Sequence, residues 1–202
     1  HDRDTKRTSG EAVDVATADW DRLQKLDVGK WKGPEFAGER MPALAQVLET
    51  VPEGKKIFIE IKCGAEVVPA LKEALAACDL KPEQISVTAF QQDVSEATRQ
   101  QIPGVTANWL TDFKQRDDGT WKPSPAVIVK TARRLKAHGV GVGARRGALT
   151  AELASALKEA GLGFHVWTVD DPELARHLIE LGVDSLTTNR PAELRKRLAT
   201  PK

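Results

Sequence analysis

The sequence predicts an α/β protein in which short strands alternate with helices on a parallel sheet. Three observations carry this. From Ile57 to Thr187, six short runs rich in β-branched or apolar residues alternate with longer amphipathic segments. The later helical segments each stop near a glycine ahead of the next strand, at Gly104, Gly139, Gly161 and Gly182. The links are short, which dictates right-handed βαβ units. Six such strands fit either a doubly wound sheet or most of an eight-stranded barrel. No glycine-rich loop joins a strand to a helix, which argues against a nucleotide-binding Rossmann domain.

Residues 1–45 are polar and irregular. Asp19 to Leu26 suggests one amphipathic turn of helix, and Gly29, Gly33-Pro34 and Gly38 then break the chain. Met41-Pro42-Ala43-Leu44 opens a helix with Ala43, Leu44, Val47 and Leu48 on its apolar face. The regular pattern follows, with strands at 57–61, 85–90, 105–110, 140–144, 162–169 and 183–187. Helices fall at 67–78, 93–101, 126–137, 150–160, 172–181 and 191–199. A polar excursion, Asp112 to Pro125, follows the third strand.

Composition excludes several function classes. Net charge is +1 from 30 basic and 29 acidic residues, so no global field attracts nucleic acid or an anionic membrane. No apolar run approaches the roughly 18 residues of a membrane span. The protein is expected to be soluble, whether cytoplasmic or exported, with its oligomeric state open. Cys63 and Cys78 make neither a disulfide framework nor a metal cluster, and read as small buried hydrophobes.

Chemistry concentrates at the strand ends. In the first strand Phe58, Glu60 and Lys62 share one face and Ile57, Ile59 and Ile61 the other. The isoleucine face suits packing under helices. Glu60 and Lys62 then sit at the C-terminal end of the inward face, where barrel active sites lie. A carboxylate and an amine so placed suit a divalent cation and a phosphate oxygen; a structural ion pair is the plainer alternative. Phe90, Trp109 and Trp167 lie near other strand ends and suit either an apolar pocket wall or ordinary core. His165 shares the face of Trp167, one layer deeper. His138 and His177 read as solvated or capping histidines on helices, Arg145-Arg146 as a solvated loop, and Asn189 as a cap for the last helix.

An ordered series of motifs completes the pattern. It comprises His1-Asp2, Arg7-Thr8-Ser9-Gly10, Leu26 to Trp31, Phe36 to Leu44, Ile59-Glu60-Ile61-Lys62, Trp167 to Pro172 and Gly182 to Pro191. In this order they resemble the glycerophosphodiester phosphodiesterases over essentially the whole chain. The resemblance implies a TIM (β/α)8 barrel forming one domain over 1–202, with residues 3 to about 40 a small insertion after the second strand. The six strands would be the third to the eighth. The family's upstream segment, with a His-Arg strand end and a Glu-x-Asp strand, has no counterpart in this sequence. Roughly 40 to 50 residues are therefore expected to precede His1 in a complete barrel.

The resemblance also implies roles. His1 matches one of two histidines acting as general acid and base, Glu60 a metal carboxylate, Lys62 the cation beside the phosphate, and Trp167 the pocket wall. Phe90 would join Trp167 in binding substrate. Mg2+ or Ca2+ would be the cofactor and a small glycerophosphodiester the substrate, cleaved to an alcohol and glycerol 3-phosphate. Where the family reads Ser-Phe, this chain has Ala89-Phe90, which puts a polar contact there in question. Two other outcomes fit the same motifs: a lysophospholipase D acting on lysophospholipids, and a non-catalytic barrel or inactive fragment. With one metal carboxylate and one catalytic histidine, the 202 residues alone are expected to be inactive.

Overall fold

A computed structural model describes residues 1–199. They group into two compact units: His1–Glu53 with Glu73–Leu80, and Gly54–Lys72 with Lys81 to the end of the described residues.

The first unit contains three short helices, α1 (Lys6–Ser9), α2 (Trp20–Leu23) and α3 (Leu44–Leu48). Polar groups organise its loops. Asp4 bridges Asp14, and the buried Thr5 hydroxyl donates to Glu11 O at 2.7 Å. The Asp27 carboxylate accepts the amides of Gly29, Lys30 and Gly38, and those N–H donors hold its carboxyl below the ordinary carboxylate range. Gly29 is required here, because a Cβ would lie 2.0 Å from Phe36 O. α3 starts later than Met41-Pro42 suggests: the Gln46 side chain accepts the extended Ala43 N–H at 2.8 Å and fixes the first turn beyond it.

The second unit is a βα repeat. Its main elements are β1 (Ile57–Ile61), α4 (Val68–Ala76), β2 (Ile85–Ala89), α5 (Gln92–Gln101), β3 (Thr106–Thr111), β4 (Lys114–Gln115) and β5 (Trp121–Lys122). After these come α6 (Pro125–Arg134), β6 (Gly139–Gly143), α7 (Ala151–Glu159), β7 (Gly163–Trp167), α8 (Pro172–Glu180), β8 (Ser185–Leu186) and α9 (Pro191–Ala199). α4 begins in this unit and ends in the first.

Six strands form one parallel sheet in the order β1-β2-β3-β6-β7-β8. The order never reverses, so the sheet has no switch point of the doubly wound kind. It is also curled. Four strand spacings separate β1 from β7, about 19 Å in a flat sheet, yet Phe58 of β1 meets His165 of β7 edge to face at 5.9 Å. A monotonic, curled βα sheet is barrel wall.

The register explains β6, which reads Gly-Val-Gly-Val-Gly. Val140 and Val142 point outward, fully buried in a cluster with Ile128, Leu153, Leu157 and Leu178. Gly139, Gly141 and Gly143 point inward. A Cβ on Gly141 would lie 2.5 Å from Leu110, and one on Gly143 would lie 2.0 Å from Asp112 Oδ1. The glycines clear the inner face for side chains from β3.

The excursion after β3 is a hairpin rather than irregular chain. β4 and β5 pair antiparallel, and Gly119 takes φ +81° in the turn, where Thr120 N and Oγ1 donate to Asp118 Oδ1. The cysteines differ from expectation as well. Cys63 is exposed because it follows β1 on an open loop, and Cys78 is half-buried, its thiol donating to Leu75 O.

Candidate active site

β1 ends at the C-terminal rim of the sheet. Its outward Ile61 is buried, whereas inward Phe58 is 50% exposed. Glu60 is on the same inward face, and Lys62 follows one residue past the strand. Lys62 Nζ donates to Glu60 Oε1 at 2.8 Å, with the side chains 42% and 32% exposed. The two groups expected from the sequence are thus brought together as an open ion pair.

The register puts Phe90 and Trp167 on the same inward rim. Their rings meet edge to face at 5.4 Å, although three strand spacings separate β2 from β7. Phe90 is 43% exposed. Trp167 Nε1 is buried over Gly141 with no hydrogen-bond partner among the described residues, so Trp167 presents ring surface rather than a donor. His165 lies below it, with Nδ1 2.8 Å from Ser185 Oγ.

Trp109 takes the other face. It pairs in register with Ala89 and Val140, is 6% exposed and belongs to the helix-side core rather than to the inner face. Its Nε1 donates to Phe90 O at 3.2 Å. Ala89 is also outward and buried, so a serine hydroxyl there would not face the site; Thr88 is the inward residue.

Ion pairs occupy the rest of the rim. Arg145 grips Asp112 with two bonds, at 3.1 and 2.7 Å. Burial pushes the Asp112 carboxyl up, but Arg145 and the Phe113 N–H outweigh it and hold it below the ordinary range. Arg146 pairs with Asp171. The loop reading of these arginines holds, but both are paired. Asn189 donates its side-chain and backbone N–H to Asp170 instead of capping α9. His177 is exposed on α8, as expected. His138 lies beyond α6, its Nδ1 accepting Ala107 N–H at 2.9 Å.

His1 lies in the first unit, 75% exposed. Its Nδ1 is 3.1 Å from Asp2 Oδ1, and Arg7 Nε donates to Asp2 Oδ2 at 2.6 Å. The residue that sequence reasoning missed is Gln91, whose Nε2 donates to Lys62 O at 3.2 Å. No motif marked it.

A family model described as the glycerophosphoryl diester phosphodiesterase family matches residues 1–193. The chain belongs to this family. Among relatives, the glycerophosphodiester phosphodiesterase of Caldanaerobacter subterraneus is 27% identical over 200 residues, covering 96% of this chain and 76% of that protein. The glycerophosphodiester phosphodiesterase of Bacillus subtilis is 26% identical over 211 residues, covering 95% and 68%. Solved structures of glycerophosphodiester phosphodiesterase type share the barrel fold. An Oleispira antarctica phosphodiesterase in complex with the product sn-glycerol-3-phosphate superposes with TM-score 0.85 at 20% identity, covering 99% of this chain and 78% of that one. The Thermotoga maritima glycerophosphodiester phosphodiesterase gives TM-score 0.70 at 22% identity, covering 97% and 76%. Among the described residues no helix is long and apolar enough to cross a membrane.

Proposed function

We propose that this glycerophosphodiester phosphodiesterase family member hydrolyses glycerophosphodiesters to an alcohol and glycerol 3-phosphate, with Lys62, Glu60 and His1 as its reacting groups. The observation that carries the reading is the Glu60–Lys62 pair, open to solvent at the inward end of a barrel strand, in a chain of this family. The glycerol 3-phosphate held by the Oleispira protein is the product such a reaction releases.

Phosphodiester hydrolysis must neutralise charge on the phosphoryl oxygens, take a proton from water and give one to the leaving alkoxide. The Lys62 ammonium supplies the positive charge. His1 supplies the proton transfer. Asp2 is an acceptor, so Nδ1 carries the hydrogen that faces it, leaving Nε2 to take up and return a proton. Phe90 and Trp167 offer ring surface to the carbon skeleton and exclude water from one side.

A divalent cation fits this donor set in part. Glu60 is a hard, half-exposed oxygen donor of the kind Mg2+ and Ca2+ take. Among the described residues no group of three or more His, Cys, Asp or Glu could hold such an ion, so Glu60 is the one donor assigned to it here. A cation bound there supplies Lewis-acid stabilisation of a phosphoryl oxygen.

The test is choline release from glycerophosphocholine by the full-length protein with Mg2+ or Ca2+, abolished by chelation. No product from glycerophosphocholine, glycerophosphoethanolamine or glycerophosphoglycerol overturns the reading. Faster turnover of lysophosphatidylcholine than of glycerophosphocholine would assign a lysophospholipase D instead.

A further inference from the structure

The parallel ladders stop just short of Lys62. β1 and β2 last pair at Ile61↔Ala89, and β2 and β3 at Ala89↔Trp109. Lys62 and Phe90 each lie one residue beyond. Two side chains continue the pairing where the backbone no longer does. Trp109 Nε1 donates to Phe90 O, and Gln91 Nε2 donates to Lys62 O, each at 3.2 Å. Trp109 is packed in the core, so its N–H is a fixed reference point for the β2 end. That end in turn carries Gln91.

Gln91 occupies the N-cap position of α5, with extended backbone (φ −69°, ψ 125°), yet its side chain makes no capping bond. Short Asn, Asp or Ser side chains serve best at such a position. The longer glutamine stem reaches across to β1 instead.

We propose that Gln91 is a positioning residue: by holding the Lys62 carbonyl it keeps the ammonium beside Glu60, where the phosphate is engaged. The proposal rests on the phosphate role given to Lys62 above. Losing the bond lowers the fraction of molecules with Lys62 in place, and the apparent rate falls with that fraction.

The test is a double-mutant cycle in the full-length protein, using Gln91→Met, which keeps the stem and removes the donor. Gln91→Met is expected to lower kcat/KM about two- to tenfold and to raise the inhibition constant of inorganic phosphate, with an unchanged melting curve. In a Lys62→Met background the same change has no further effect. Trp109→Phe, which keeps the ring and removes the indole donor, gives a smaller loss with the same dependence on Lys62. Full activity of Gln91→Met beside an impaired Lys62→Met overturns the proposal and leaves the site reading standing. Equal losses from Gln91→Met in both backgrounds also overturn it. Full activity of Lys62→Met overturns the phosphate role of Lys62 first, and the proposal with it.

Discussion

Lys62 Nζ donates to Glu60 Oε1 at 2.8 Å, so the carboxylate proposed for the cation and the ammonium proposed for the phosphate neutralise each other. Such an exposed pair contributes at most about 1 kcal/mol to stability. Its importance is therefore chemical. Glu60→Gln keeps the shape and removes the charge. It is expected to lower kcat by about 100-fold or more, the scale of losing one preorganised electrostatic group. The melting temperature and far-ultraviolet circular dichroism should not move. Full activity of Glu60→Gln would remove the carboxylate from the site.

The same pairing gives Lys62 opposite effects on two ligands. A divalent cation on Glu60 must displace the ammonium and bear its repulsion. Lys62→Met should therefore weaken phosphate inhibition while tightening Ca2+ binding, by up to about fivefold on the exposed-pair scale. Calorimetric titration with Ca2+ in the absence of substrate reads the second effect directly. Weaker Ca2+ binding by the variant would contradict the competition.

His1→Ala is expected to lower kcat by about 100- to 10,000-fold, the usual contribution of general acid–base catalysis. The side chain is 75% exposed and its ring pairs with the adjacent Asp2, so the fold should be unaffected. Added imidazole restores part of the rate if proton transfer is the lost function. A variant with wild-type kcat would assign the proton chemistry elsewhere.

All six strands are legible in the sequence, β2 and β3 to within one residue at each end, but the facing is legible only where residues alternate. β1 is delimited from Ile57 to Ile61 by its β-branched and aromatic residues, and the alternation of its isoleucines with Phe58 and Glu60 gives the inward face of Glu60 and Lys62. β2 and β3 are buried on both faces, so their alternation is silent. That silence leaves Trp109 open between pocket wall and core, which the register resolves as core, and lets Ala89 be read as a lost contact. The phase of a doubly buried strand is set by its neighbours, which the register supplies and local sequence does not. The hairpin was marked by Asp118-Gly119 but hidden by the two-residue length of its strands. Gln91 was invisible for a different reason. Its partner is a main-chain carbonyl 29 residues away, and a bond to a carbonyl leaves no trace in the partner's residue type.

The inward glycines of β6 make the barrel layering testable. A Cβ at Gly143 would lie 2.0 Å from Asp112 Oδ1, which Arg145 and the Phe113 N–H hold in place. Gly143→Ala should therefore cost about 1–3 kcal/mol, as overpacking does. The cost should shrink in an Asp112→Ala background, since the colliding atom is gone. Urea denaturation of the two single variants and the double variant measures the coupling. Additive losses would place Asp112 away from β6.

Acid should weaken the fold through His165, which sits on the inner face between Phe58 and Ser185. Burial holds its imidazole below the ordinary value of 6.5, Asp184 opposes this, and Lys56 reinforces it. The native state therefore keeps His165 neutral where the unfolded chain has begun to take up a proton. Below the unfolded value, about 6.5, the unfolded state binds more protons, so stability falls with falling pH. The loss continues until the pH passes below the depressed native value. His138 adds to it, since burial and Arg99 lower its imidazole too. Urea midpoints at about pH 7.5 and about pH 5.5 should differ in the wild type, and His165→Gln should narrow the difference by removing one such titration. An unchanged difference would mean that His165 is protonated equally in the folded and unfolded states.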